Sequence, residues 1–219
     1  MQPLLYAHPF SSYCQKVLIA LYENRTPFTY RKLVPEDPSA ASELAQLWPL
    51  KKFPVLVDDK DVIVESSVII EFLDMRHPGH ERLIPGDSRG ALEVRMLDRF
   101  FDNYVMTPMQ RIVADYIRAK SDRDPFGVEA SKSMLESAYS WLNGTMEQRT
   151  WAAGTQFTMA DCAAAPALFY SDWVHEIGEG FPNVRGYRKR LLDRPSVARA
   201  IDEARPYRQF FPPGAPNRD

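Results

Sequence analysis

The chain has 219 residues, enough for one large domain or two modest ones, with 45% hydrophobic and 26% charged residues and a formal net charge of −2. Residues 1–80 carry 8 Lys+Arg against 10 Asp+Glu and the remainder 19 against 19, so neither part has the basic surplus of a nucleic-acid binder. No apolar run approaches the roughly 20 residues of a membrane helix, and the first ten residues do not form a secretory leader. Two cysteines, Cys14 and Cys162, imply no disulfide framework, and a reducing cytoplasm is the expected location.

Taken in chain order, Pro3–Ala7 reads as a buried strand. Cys14, Val17, Leu18 and Leu21 then recur at the spacing of an amphipathic helix. A second strand over residues 26–33 and a short helix over 39–47 follow. Residues 53–59 and 61–66 read as a hairpin about an Asp58–Asp61 turn. Residues 66–77 close this part with a helix in which Ile69, Phe72, Leu73 and Arg76 share a side. A strand–helix–strand unit favours parallel pairing, and the hairpin adds antiparallel strands. Residues 78–90, rich in Gly, Pro and charge, are the expected linker.

Everything beyond is helical in pattern. A long helix is predicted from Ser88 to Lys120, kinked at Pro108, which lacks a backbone donor. A second spans residues 124–146. A third, very apolar helix opens at Thr158-x-x-Asp161, a capping box with Asp in place of Glu. Two short helices end the region, and the proline-rich residues 205–219 read as irregular.

Three stretches carry candidate chemistry. In "SSYCQ", Ser12-x-x-Gln15 matches a capping box with Ser12 at the N-cap, and Cys14 falls on the buried stripe. Ser11 is then left outside the helix, near its positive end, with a hydroxyl that no local structure claims. In "VESS", Ser66 or Ser67 either caps a helix or, with the helix N–H groups, binds a carboxylate while Glu65 takes an ammonium. In "FPVL", Pro54 is tolerated at a strand start. The four histidines show no metal-ligand spacing, and no Gly-rich phosphate loop or nucleophile elbow occurs.

As a set, the Ser-bearing loop, Phe53-Pro54-Val55-Leu56, Glu65-Ser66 and Thr158-Met-Ala-Asp161 resemble the cytosolic glutathione S-transferases across essentially the whole chain. "YAHPFSSYCQKVLIAL" is more similar to the serine-type classes (theta, zeta, tau and bacterial relatives) than to the tyrosine-type ones. The resemblance implies a thioredoxin-like domain over residues 1–79 and an all-helical domain over 88–219, acting as a homodimer on glutathione and a small apolar or aromatic electrophile in detoxification, with no metal and no nucleic-acid or membrane partner. It implies Ser11 as the catalytic serine and Pro54 as a cis-proline. It also implies that the Phe53 backbone pairs with the cysteinyl part of glutathione, Glu65 and Ser66 hold its γ-glutamyl end, and Lys52 (or Lys51) meets its glycyl carboxylate.

In this reading Ser11-x-x-Cys14 resembles a CxxC site whose first thiol is replaced, so the serine donates to the glutathione sulfur and stabilises its thiolate. Phe10, Tyr13, Tyr104, Pro108 and Arg111 are the residues expected around the acceptor. Tyr13 could offer its own hydroxyl, Lys16 stands where many relatives have arginine, and "SSYC" only partly resembles the "SSCS" run of zeta-class isomerases. Isomerase, lyase, dehalogenase or peroxidase chemistry on the same scaffold, or a non-catalytic binding role, are the alternatives.

Overall fold

The computed structural model describes residues 2–219. Four short strands, β1 (Leu4–Ala7), β2 (Thr29–Lys32), β3 (Val55–Asp58) and β4 (Asp61–Val64), form one sheet in the order β2-β1-β3-β4. β1 pairs parallel with β2, Leu4 opposite Thr29, and antiparallel with β3, Leu5 opposite Leu56. The parallel pair needs a crossover, which α1 (Ser12–Glu23) supplies. The β3–β4 hairpin turns through Asp59-Lys60, with Asp59 at φ 55.

Side chains alternate across the sheet. Leu5, Ala7 and Leu56 enter the main core with residues of α1 and α3 (Ser66–Arg76). Tyr6 and Val55 point the other way, onto Leu44 of α2 (Pro38–Leu47). This is the thioredoxin-like half.

The helical half runs through α4 (Ser88–Phe100), α5 (Thr107–Ile117), α6 (Pro125–Thr145), α7 (Met159–Val174), α8 (Pro182–Leu192) and α9 (Pro195–Ala204). α7 is buried along nearly its whole length and is the centre of the packing. Its predicted capping box is present: the Asp161 carboxylate accepts from the Thr158 N–H at 2.9 Å and from its hydroxyl at 3.1 Å. The same carboxylate also accepts from the Ala152 N–H at 2.8 Å and the Tyr187 hydroxyl at 2.6 Å, so one buried side chain ties three segments together.

Three expectations change. The long helix is not simply kinked at Pro108. It passes through a π-helical turn, Phe101–Met106, before α5 begins, and it ends at Ile117 rather than Lys120. The wide turn absorbs the hydrogen bond that proline cannot make, and the Thr107 hydroxyl donates to the Asp102 carbonyl at 2.9 Å. The expected linker is packed rather than free. Leu83 and Ile84 are buried, and the Leu83 carbonyl accepts from the Met159 N–H at 2.9 Å. Gly79 is required there, since a Cβ would lie 2.2 Å from the Asn24 side chain. Finally, α1 buries both faces. The sheet and α3 cover one side and α7 and α9 the other, so Gln15 and Lys16 are buried beside the apolar stripe.

Among the described residues no helix is long and apolar enough to cross a membrane.

Candidate functional site

A cleft of about 590 Å³ opens where the sheet half meets α4, the π turn and α5. Ser11, Lys52, Phe53, Pro54, Glu65 and Ser66 all line it, together with Tyr13. These residues come from three separate stretches: the β1–α1 junction, the segment between α2 and β3, and the β4–α3 junction. The Phe53–Pro54 bond is cis. Glu65 sits at φ 69, a left-handed conformation unfavourable for a residue with a Cβ, at the position preceding α3. That turn aims the first N–H groups of α3 and the Ser66 side chain toward the cleft, an arrangement suited to an anion. Lys51 and Lys52 are exposed cations at the opposite end.

The cap of α1 is not where the Ser12–Gln15 pattern puts it. Ser11 holds the N-cap position, with φ −84 and ψ 125, and its carbonyl accepts from the Gln15 N–H at 2.8 Å. Its hydroxyl makes no bond to the N–H groups of the helix. Ser12 is the first helical residue. The Gln15 side chain reaches elsewhere, donating to the Pro9 carbonyl and the Tyr170 hydroxyl, both at 3.0 Å. Tyr170 in turn donates to the Phe10 carbonyl at 3.1 Å. The carbonyls just before Ser11 are thus pinned by buried side chains, which fixes the loop from which the Ser11 hydroxyl projects.

Cys14 is fully buried, and burial pushes its thiol up to about 12 despite hydrogen bonds from Ser11 and the backbone. It is protonated at neutral pH and is a poor nucleophile toward an incoming disulfide. Tyr13 also rises to about 12, through burial and then the nearby Asp102 charge, so at neutral pH its phenol is protonated and can donate a hydrogen bond.

Below the cleft lies an ion cluster that no motif announces. The buried Lys16 ammonium meets Asp98 at 2.6 Å, Asp102 at 2.8 Å and the Ser67 hydroxyl at 2.8 Å. Arg99 closes the cluster against both carboxylates and Ser67. Arg99 and Asp102 also line the cleft, beside Glu65 and Ser66. Burial pushes the Asp102 carboxyl up, and Lys16 and Arg99 oppose it.

A second cavity, of about 310 Å³, adjoins on the far side of Ser11. Its wall is mostly apolar: Phe10, Met109, Val113, Ile117, Tyr170, Phe211 and Pro212, with Gln110 and the two serines as polar members. Ser11 is common to both cavities. Of the residues expected around an acceptor, Phe10 lines this cavity and Tyr13 the polar cleft. Tyr104, Pro108 and Arg111 line neither. Tyr104 is half exposed in a surface cluster with Phe100 and Trp141, Pro108 is buried, and Arg111 is exposed.

The sheet-half residues of the polar cleft, Ser11 to Ser66, fall within the first of two stretches that match family models. Residues 5–81 match the N-terminal domain of glutathione S-transferase and residues 125–190 its C-terminal domain. The chain belongs to the glutathione S-transferase family. A stringent starvation protein A homolog of Coxiella burnetii is 26% identical over 91% of both chains. A probable maleylacetoacetate isomerase of Caenorhabditis elegans is 25% identical over 94% of this chain and 95% of its own. The solved glutathione S-transferase of Methylobacillus flagellatus, with glutathione bound, superposes with a TM-score of 0.82 at 26% identity, over 91% of this chain and 98% of that one. The three relatives carry different names.

Within this glutathione S-transferase fold, the residues singled out from the sequence in the sheet half line the cleft, while Arg99, Asp102, Met109 and Val113, which line one cavity or the other, carry no motif. The stripe Met109, Val113, Ile117 has helical i, i+4, i+8 spacing and was readable in principle. Tyr104, Pro108 and Arg111 lie at helical spacing, Tyr104 within the π turn and the other two after it. The π turn between Phe101 and Met106 holds extra residues per turn and rotates everything after it, so a neighbouring stripe faces the cavity. Among the described residues no group of three or more His, Cys, Asp or Glu side chains is placed to hold a metal ion.

Proposed function

We propose that this protein is a serine-type glutathione transferase that activates glutathione as its thiolate. The observation that carries the reading is the convergence of Ser11, Lys52, Phe53, Pro54, Glu65 and Ser66 on one cleft, joined at Ser11 to an apolar cavity. Glutathione offers complementary groups. Its α-carboxylate suits Ser66 and the α3 N-terminus, its α-ammonium suits Glu65 with Asp102, its cysteinyl amide suits the Phe53 backbone, and its glycyl carboxylate suits Lys52 or Lys51. The glutathione bound to the M. flagellatus enzyme supports this assignment.

The sulfur then lies at Ser11. A hydroxyl donor and the helix N-terminus favour the thiolate, whose free pKa is about 8.5, so a modest shift ionises most of it at pH 7. The thiolate attacks an electrophilic carbon held in the second cavity, where proximity lowers the barrier. No Lys or Arg lines that cavity, which favours an uncharged apolar or aromatic acceptor over the anionic substrate of an isomerase.

The same reading includes a homodimer. α3 and α4 expose Val68, Met75, Leu92 and Met96 on one side, an apolar face that a second copy would cover. Detoxification in the cytoplasm is the matching role, and sedimentation equilibrium checks the dimer.

The decisive experiment titrates the thiol of bound glutathione. In the wild type its pKa falls below the free value. In Ser11→Ala it returns toward about 8.5 and kcat/KM drops roughly 10²-fold. An unshifted thiol in the wild type, or an unchanged one in Ser11→Ala, refutes the assignment.

A further inference from the structure

The outer wall of the apolar cavity is made by chain that leaves α9 rather than by a helix of the bundle. Residues Arg205–Phe210 form a 3₁₀ turn, and residues 211–219 follow without regular structure. Along this path Tyr207 meets His8 edge-on at 4.8 Å, and Phe211 meets Phe10 at 6.2 Å and Tyr170 at 6.3 Å. Phe211 is buried although the residues on either side of it are exposed.

A segment with no ladder or helix of its own must be held by side chains. Here the holding point is Asp219. Its carboxylate pairs with Arg205 at 2.5 Å and with Arg208, and its carbonyl accepts from Arg188 at 3.1 Å. The chain between Arg205 and Asp219 is thereby closed on itself, with Phe211 inside the closed loop. Arg208 also lies over Trp173 at 5.2 Å, and Trp173 packs on Phe211 at 5.1 Å, so clasp and wall are in contact.

We propose that residues 205–219 form a clasped strap that determines acceptor affinity: Phe211 is the specificity-determining wall, and Asp219 is a positioning residue that holds it through Arg205 and Arg208. The proposal rests on the second cavity being the acceptor site. It fits an uncharged, apolar or aromatic group attached to the glutathione sulfur. Partial burial pushes the Asp219 carboxyl up, and the hydrogen bonds from Arg205 and Arg208 more than reverse this, so the clasp is charged at neutral pH. Half-exposed ion pairs are individually weak and are screened by salt. The clasp can therefore yield when a product leaves, which a hydrophobic seal of the same size would resist. The strap also leans on Phe10, whose carbonyl accepts from the Tyr170 hydroxyl.

The test compares wild type, Asp219→Asn, Asp219→Glu and Phe211→Ala. Calorimetry gives the affinities of glutathione and S-hexylglutathione, whose ratio reports the apolar cavity alone. In Asp219→Asn the S-hexylglutathione affinity falls about fivefold while glutathione itself binds as before. KM for 1-chloro-2,4-dinitrobenzene rises in proportion with kcat held. Asp219→Glu recovers most of the loss, and Phe211→Ala loses about tenfold or more. Hydrogen exchange in residues 207–219 and in the loop before Ser11 quickens in Asp219→Asn. The same affinity ratio in all four proteins, or unaltered exchange in Asp219→Asn, overturns the strap. Failure of glutathione to bind the wild type overturns the proposed function instead, and the exchange comparison still decides the clasp.

Discussion

The polar cleft draws most of its side chains from short stretches at the element boundaries of the sheet half, such as Lys51–Pro54 or Glu65-Ser66, with Arg99, Asp102, Asn103 and Gln110 added from the helical half. The apolar cavity draws on the loop at Phe10, on α5, on Tyr170 of α7 and on the strap at Phe211, elements far apart in sequence. The first kind of site survives as a motif, because a backbone turn and its neighbours carry the chemistry together. The second is a by-product of how helices pack, so each wall residue reads individually as ordinary core. The two meet at Ser11, where a fixed donor faces a replaceable surface. A scaffold of this design can keep one cosubstrate while changing the other.

Four substitutions or titrations separate the two regions, and the largest effect lies beneath the polar cleft. Lys16→Met strips the only ammonium from between Asp98 and Asp102 and should cost about 3–5 kcal/mol, measured by denaturant unfolding. A near-neutral result would mean that Arg99 alone can neutralise both carboxylates.

Glu65→Gln comes next. It should weaken glutathione binding by about 1.5–3 kcal/mol, through loss of a charged hydrogen-bond partner, and leave the acceptor KM unchanged. Equal effects on both KM values would dissolve the distinction between the sites.

Cys14 tests the core beside the Ser11 loop. The folded thiol holds its proton up to about 12, against an ordinary value of 9.0, so between these values the unfolded chain binds fewer protons than the folded one. Stability should therefore fall as pH rises through this window, by at most ~1.4 kcal/mol per pH unit from this group. Melting curves against pH, with Cys14→Ala as the control that removes this slope, check the sign. Alkylation of Cys14 near pH 7 should be slow throughout.

Ser12→Ala should do least. With the N-cap at Ser11, loss of the Ser12 hydroxyl should change stability by within about 0.5 kcal/mol, where loss of a true cap costs about 0.5–2. A larger loss in thermal unfolding would return the cap to Ser12 and reopen which serine serves the cleft.

Much of the fold was legible because it rests on local rules. The parallel β1–β2 pair follows from a strand–helix–strand order, the hairpin from alternating apolar residues about Asp59-Lys60, and the start of α7 from Thr158 and Asp161. Ser11, Pro54, Glu65 and Ser66 were legible for the same reason, since each stands at an element boundary with a chemistry suited to it. The cap of α1 was misplaced by one residue because Gln15 has the right spacing for a capping box but a better buried partner in Tyr170. That partner lies 155 residues away and leaves no trace in local pattern.

By itself, then, the sequence determined the order of elements, the fold class and the family, together with the sheet-half stretches that line the polar cleft, because each element and its boundary is marked by residues within a turn or two of chain. Only the tertiary structure decided what lines the apolar cavity. A π turn between Phe101 and Met106 sets the phase of α5, and the irregular chain after α9 lays Phe211 against Phe10 and pairs Asp219 with Arg205. Helix phase and the path of an irregular segment are set by packing energies summed over distant contacts, and no short window of sequence contains them.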